Sequence, residues 1–289
     1  MASIKEYNEK IKSLRNTRKI TKTMKMVSAS KLRRSQEARA NAKSYAEHIT
    51  ELTSRISSSA SLSSHPLIKG NPQMQKALIL VFTSDRGLCG AFNLNALRQV
   101  IIWINQNKQN YKKIELSFCG KRGFTYFKKL ENIRTFYENV TGKPKFSDGE
   151  KIGDDIIQGY LKEEYSEVYL VYNQFISPLV QKTTFEKLLP LDPKSLTTNK
   201  IESKREYIYE PSAEELIDFL IPQFIFFKIY FSLLENSAGE HGARMSAMDN
   251  ATKNASELID KNTLLRNRAR QAKITTELTE IVAGSEALN

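Results

Sequence analysis

The apolar residues of this chain fall into three rhythms: a helical one at the start, a strand-and-helix alternation in the middle, and a helical one to the end. In the first 58 residues Ile4, Tyr7, Ile11 and Leu14 step by 3, 4 and 3, and Ala42, Tyr45, Ile49, Leu52 and Ile56 step by 3, 4, 3 and 4. Those steps are a heptad seam, the pattern by which two helices bury one stripe against each other. Between the two runs Ile20, Met24, Val27 and Leu32 keep helical spacing in a shifted register, read here as a stutter. No Gly or Pro occurs before Pro66, so the spacing predicts one helix over residues 3–58, longer than globular helices run.

Ser57 to Pro72 is polar and broken by Ser, Pro and Gly, a loop. Then the period changes. The continuous apolar runs Ala77–Phe82, Ile114–Cys119 and Val168–Tyr172 have strand length and suit a sheet covered on both faces. Ile133–Tyr137 reads as a weaker strand, and Val180–Leu188 as one returning beside Val168–Tyr172. Helices fit between them at Asn93–Gln106, Arg122–Leu130 and, from a capping box of Ser147 and Glu150, on to about Tyr165. That alternation predicts a small, mostly parallel, doubly wound sheet.

Residues 190–206 form a polar connector to the last element. Pro211 and Ser212, with Glu215 three residues on, mark a helix start. Only Pro222 interrupts the pattern from there to Val282. Ala238, Ala243, Ala247, Ala251 and Ala255 give this second helix a small-residue face for close pairing with the first. The expected fold class is therefore α/β with long helices: a Rossmann-like α/β domain (residues 76–206) inserted between an N-terminal helix (1–58) and a C-terminal helix (207–289) that pair as an antiparallel coiled coil.

Charge changes the picture at one end. The net charge of +12 divides into +9 over residues 1–60, +6 over 61–211 and −3 over 212–289. The first helix, with Arg15, Arg18, Lys19, Lys22, Lys25, Lys31, Arg33 and Arg34, calls for an acidic partner. Nucleic acid is the alternative partner, but few aromatics interleave for stacking and one helix face is already committed to the seam. The N-terminus lacks a signal-peptide pattern, and Glu6 and Glu9 argue against a transit peptide, so no cleavable leader is expected. Leu216–Leu234 approaches transmembrane length, yet Asp218, Lys228, Pro222 and Gln223 point to a helix buried against both the α/β domain and the first helix.

Chemistry is sparse. The loop Asp85–Gly90 follows a strand and precedes a helix, but it lacks both the G-x-G-x-x-G spacing and the Lys-Ser/Thr ending of phosphate loops. Asp85 sets a negative charge where a phosphate would lie, so a structural turn is expected. His48, His65 and His241 are scattered, and none has a metal-ligand partner at i+3 or i+4. Cys89 and Cys119 read as buried free thiols. Neither a catalytic residue, a metal nor a cofactor is expected.

Several motifs are familiar together. Ile20–Leu32, the Asp85–Gly90 loop, Tyr209–Pro211, Ala243–Met248 and Ala269–Val282 occur in the order found in the gamma subunit of F-type ATP synthases, which the chain resembles over essentially its whole length. The resemblance implies a non-catalytic central-stalk rotor. Its paired helices would form the shaft within a ring of alpha and beta subunits, and its α/β domain a foot beside the epsilon subunit and the membrane rotor ring of c subunits. It also implies a peripheral location on the cytoplasmic face of the bacterial plasma membrane, and partners that are proteins rather than nucleic acid. Carried over residue by residue, Lys19, Lys22, Lys25, Lys31, Arg33 and Arg34 would meet an acidic loop of the beta subunits. Arg270, Gln271, Thr275 and Glu277 would meet beta at the upper shaft, while Tyr207 and Glu210 would lie near the ring. Two features depart from the family pattern. Gly239 and Gly242 stand inside the second helix, and Phe219 to Phe231 is unusually aromatic. The plastid form's pair of close cysteines is absent, so no thiol switch is expected.

Overall fold

The computed structural model describes residues 3–57, 65–70, 75–129, 132–192, 210 and 212–286. Among these residues eleven elements follow one another: α1 (Ile4–Ser57), α2 (Pro66–Lys69), β1 (Lys76–Phe82), α3 (Phe92–Asn107), β2 (Lys113–Cys119), α4 (Lys121–Phe127), β3 (Ile133–Tyr137), α5 (Phe146–Leu161), β4 (Glu167–Phe175), β5 (Gln181–Leu189) and α6 (Ala213–Glu286). The chain divides into two compact units, Met1–Ser28 with Met245–Asn289, and Ala29–Arg244.

The larger unit is built on a five-stranded sheet of order β3-β2-β1-β4-β5. All pairings are parallel except the last, where β5 returns antiparallel to β4. β1 is central, and its alternate side chains explain its uninterrupted apolar run. Leu78, Leu80 and Phe82 enter one core with Ile152 and Ile156 of α5 and with Ile217, Ile221, Ile225, Ile229 and Leu233 of α6. Ile79 and Val81 enter the other with Ala96, Leu97, Val100 and Ile104 of α3. Both faces are thus dry, as the run of strand residues predicts. The membrane-length stretch of α6 spends its apolar stripe on this sheet, and on its other side Phe227 and Leu234 pack with Ala42 of α1. From Ser232 to Gly242 every residue of α6 is buried.

Glycines set the closeness of that packing. A Cβ on Gly242 would stand 3.1 Å from Pro178 Cα and 3.2 Å from Phe175 Cε2, and one on Gly239 would stand 3.0 Å from Phe92 Cε2. These two helix-interior glycines are therefore points where α6 touches the sheet's β4–β5 end. Gly149 does the same for α5, since its Cβ would lie 2.7 Å from Phe226 O.

Two expectations are corrected. α5 begins at Phe146 rather than Ser147. The Asp148 carboxylate accepts from the Lys145 backbone N–H at 2.8 Å, so the carboxylate that caps the helix start is Asp148, not Glu150, and the cap is one-sided. The stutter in α1 is absent. Tyr7, Leu14, Thr21, Ser28, Ser35, Ala42 and Ile49 lie seven apart and are all buried or half-buried; of the four residues read in a shifted register Ile20 and Val27 are exposed, Met24 is half-buried, and Leu32 is buried in heptad step with Ile11. The heptad continues through small hydroxyl residues that a purely apolar pattern skips. Their hydroxyls find partners: Thr252 donates to Thr21 at 2.8 Å in the smaller unit, and Ser35 and Ser237 are 3.2 Å apart in the larger. The expected start of α6 holds, with Ser212 Oγ accepting from Glu215 N–H at 3.2 Å.

The Gly149 contact gives a test of sign. Ala is about 1 kcal/mol better than Gly in a helix interior, yet Gly149→Ala should destabilise the chain by about 1–3 kcal/mol because the neighbour is backbone and cannot yield. Gly284→Ala, with nothing within 4 Å of its Cβ, should be neutral or slightly stabilising. Denaturation midpoints of the two purified variants measure the contrast.

Candidate partner-binding surfaces

The Asp85–Gly90 loop is held from two sides in the larger unit. Asp85 Oδ1 accepts from the Lys121 backbone N–H at 3.0 Å and Oδ2 from the Thr141 hydroxyl at 2.7 Å. From α6, Arg244 donates to Arg86 O at 3.0 Å and to Gly87 O at 3.2 Å. Inside the loop Ser84 Oγ donates to Arg86 O at 2.6 Å, and Asn93 Oδ1 accepts from Ser84 N–H at 2.8 Å. The loop is a strut between sheet and helix, and the Asp85 carboxylate takes the amide at the start of α4 that an anion would otherwise use. Leu88, with φ of 65°, is left facing solvent.

Arg244 belongs to a buried polar group that sequence scatter concealed. It pairs with Glu240 at 2.7 Å, and its Nη1 donates to His241 Nδ1 at 3.4 Å, which needs that nitrogen unprotonated. Burial, then the charges of Arg244 and of Lys31 on α1, push the His241 pKa down to about 4. Burial pushes Glu240 up, against the pull of Arg244. The i, i+4 spacing of Glu240 and Arg244 was the available signal, and it is ambiguous because surface helices carry it too. Cys89 and Cys119 are buried and free, with both thiols pushed up by burial. Among the described residues no group of three or more His, Cys, Asp or Glu is placed to hold a metal.

The residues carried over from the resemblance do not converge on one spot. In the smaller unit α1 and α6 run antiparallel: Lys25 pairs with Asp249 at 2.6 Å, and Ser3, Ile4 and Lys5 share a cleft with Ala269, Ala272, Lys273 and Thr276. Lys19 and Lys22 are exposed on α1, with exposed Ile20, Met26 and Val27 near them in sequence. Lys25 is half-buried and spends its charge on Asp249 within the chain. Arg270, Gln271, Thr275 and Glu277 are exposed about fifteen residues or more further along the pairing, with Glu277 beside Lys273 at 3.5 Å. In the larger unit Lys31, Arg33 and Arg34 are exposed, and Arg33 pairs with Glu37 at 3.1 Å. Glu210 is exposed, and Tyr207 lies outside the described residues.

The end of α6 carries a feature the sequence reading passed over. Every residue described from Arg270 to Ser285 is exposed, and Ile274, Leu278, Ile281 and Val282 line one side of it. Steps of 4, 3 and 1 put these side chains on a single helical face.

The ATP synthase family profile matches residues 3–288. The ATP synthase gamma chain of Geobacter metallireducens is 46% identical over 288 residues, covering 100% of this chain and 99% of that one. That of Pelotomaculum thermopropionicum is 41% identical with both chains covered completely. The chain belongs to the ATP synthase gamma chain family. Its fold is also that of solved central stalks. A chain of the Euglena gracilis mitochondrial ATP synthase matches with a TM-score of 0.65 at 19% identity, over 99% of this chain and 94% of that one. A central-stalk chain from Tetrahymena thermophila matches with a TM-score of 0.59 at 24% identity, over 80% and 99%. The residues Ala243 to Met248 of this chain include the arginine that ties α6 to the Asp85–Gly90 loop.

The buried histidine predicts an acid response. Its folded pKa lies below the ordinary value near 6.5, so the unfolded chain takes the proton first. Its contribution is complete above about pH 6.5 and is lost as pH falls toward 4, on the order of 3 kcal/mol in full. Thermal unfolding between pH 6.5 and 4.5 should show the parent chain losing stability faster than His241→Gln. Parallel profiles would mean His241 is not the titrating group.

Proposed function

We propose that this chain is the rotor of the central stalk in an F-type ATP synthase, carrying torque between an ion-driven membrane ring of c subunits and a catalytic hexamer of alpha and beta subunits. It is the moving part and not the site of chemistry: its partners do the hydrolysis or synthesis, and the asymmetry of its turning shaft holds identical catalytic sites in different states. In this reading α1 and α6 are the shaft and the sheet with α3, α4 and α5 is the foot, beside the epsilon subunit and the ring. The complex sits on the cytoplasmic face of the bacterial plasma membrane, and this chain is peripheral to the bilayer.

The observation that carries the proposal is the bare end of α6. A single amphipathic helix with four large apolar side chains in water is the half of an interface that a ring-shaped apolar sleeve completes. The second support is charge. Lys19, Lys22, Lys31, Arg33 and Arg34 present cations at the surface, and exposed ion pairs with an acidic loop of the beta subunits would be weak, on the order of 1 kcal/mol or less each. Contacts of that strength can form and break at every step. Arg270, Gln271, Thr275 and Glu277 take the upper contact with beta, and Glu210, with Tyr207, the contact near the ring. The basic helix as a nucleic-acid binder is disfavoured, because its apolar exposed residues, Ile20, Met26 and Val27, suit a protein surface better than phosphates.

Truncation after Leu265 tests the reading in membranes carrying the complex. ATP-driven pumping and ATP synthesis should fall severalfold while the foot remains bound to the ring. Undiminished synthesis by the truncated chain would sink the assignment of this segment. A second test replaces Lys19, Lys22, Arg33 and Arg34 together by Gln. Affinity for the isolated alpha/beta hexamer should drop about tenfold at low ionic strength, and the difference should shrink in high salt; equal loss at all salt concentrations would remove the electrostatic role.

A further inference from the structure

One buried carboxylate remains without a part in the account so far. Glu235 lies on α6 in the fully buried stretch of the larger unit, 1% exposed. Its Oε2 accepts from the Phe175 backbone N–H, at the end of β4, at 2.7 Å. Its Oε1 accepts from the Arg39 guanidinium of α1. Arg39 in turn stands over the Phe175 ring, 5.9 Å from its centroid. The next residues of the same turn reach the same neighbours. Asn236 Nδ2 donates to Thr83 O, just past β1, at 3.4 Å, and Ser237 meets Ser35 of α1 at 3.2 Å.

We propose that Glu235 is a positioning residue that, within the larger unit, locks α6 in rotation against both α1 and the sheet, so that the parts of that unit turn as one body. The inference rests on the rotor reading above, because only a part under torque needs such a lock. From Ile217 to Leu233 α6 meets the sheet through apolar side chains, and apolar contact is non-directional, so it resists separation better than sliding. Hydrogen bonds resist sliding. A carboxylate carried about 6 Å from its helix axis moves about 3 Å when the helix turns by 30°. That displacement is far outside the few tenths of an ångström over which a hydrogen bond keeps its strength. Because the two oxygens hold different elements, α1 on one and β4 on the other, rotation in either sense breaks an anchor. A desolvated, charge-assisted pair is also the strongest kind of polar contact available there. The close approach that brings the carboxylate to the end of β4 is the one permitted by Gly239 and Gly242.

The test uses the assembled complex, with the alpha/beta hexamer fixed to a surface and a probe attached to the sheet-bearing unit. With nucleotide held constant, the angular variance of the probe reports torsional stiffness. Glu235→Leu with Arg39→Leu removes both anchors without leaving a buried charge unpaired. Glu235→Gln keeps an acceptor for Phe175 and loses the ion pair. The double-Leu chain should assemble with normal subunit masses and hydrolyse ATP at the parent rate, while the variance rises at least twofold. An unchanged variance would overturn the proposal. Should the double-Leu chain fail to assemble, Glu235→Gln takes its place, with a rise of the variance above the parent's in support and parent variance against. A merely structural glutamate would lower the unfolding temperature of either variant without widening the angle. If the parent probe does not rotate with ATP at all, the rotor reading is what fails, and the variance comparison still decides whether Glu235 is a lock.

Discussion

The structure depends on burying one stretch of one helix on all sides. From Ser232 to Gly242, α6 has the sheet against one flank and α1 against another, and no face of that stretch meets water. Such a segment cannot be amphipathic, and it cannot be wholly apolar if it is also to be fixed in register. The solution here is to leave apolar residues where packing is broad, remove side chains at Gly239 and Gly242 where backbone comes close, and seat Glu235, Asn236, Glu240 and Arg244 where a partner waits. Each polar group then acts as a positional key. The sheet, the strut loop and the first helix all refer to this stretch for their placement.

Much of this was legible. β1 read as a strand covered on both faces because Ala77 to Phe82 has no polar break, and the structure divides its side chains between two cores. Ser212 announced the start of α6 because a hydroxyl three residues before an amide has one obvious use. The cap of α5 was misplaced for a related reason. The box pattern points to Ser147 and Glu150, whereas the helix starts one residue earlier and Asp148 caps the Lys145 backbone, a pairing that a lysine at the cap position does not announce.

The seam of α1 and the surfaces for partners were harder. A heptad of Thr21, Ser28 and Ser35 has no apolar signal, and Ile20 and Val27 beside it supply a false one. In a chain that works inside an assembly, an apolar residue can belong to a partner's core rather than its own, and periodicity alone does not say whose. The same ambiguity hid Ile274, Leu278, Ile281 and Val282, which share a face that is exposed among the described residues. For the charged residues, sequence gave candidates by type, and only geometry separated Lys25, spent on Asp249, from Lys19 and Lys22, which are exposed.

The hydroxyl-lined seam bears on how long the free chain survives. In the unit formed by Met1–Ser28 and Met245–Asn289, the helices meet through Thr21, Ser28 and Thr252 as much as through Ile11 or Ile259. Burying a hydroxyl side chain contributes far less than burying a leucine, so this pair opens locally at a small fraction of the global unfolding cost. In the free chain such a weakly held helix pair is an early entry point for proteases.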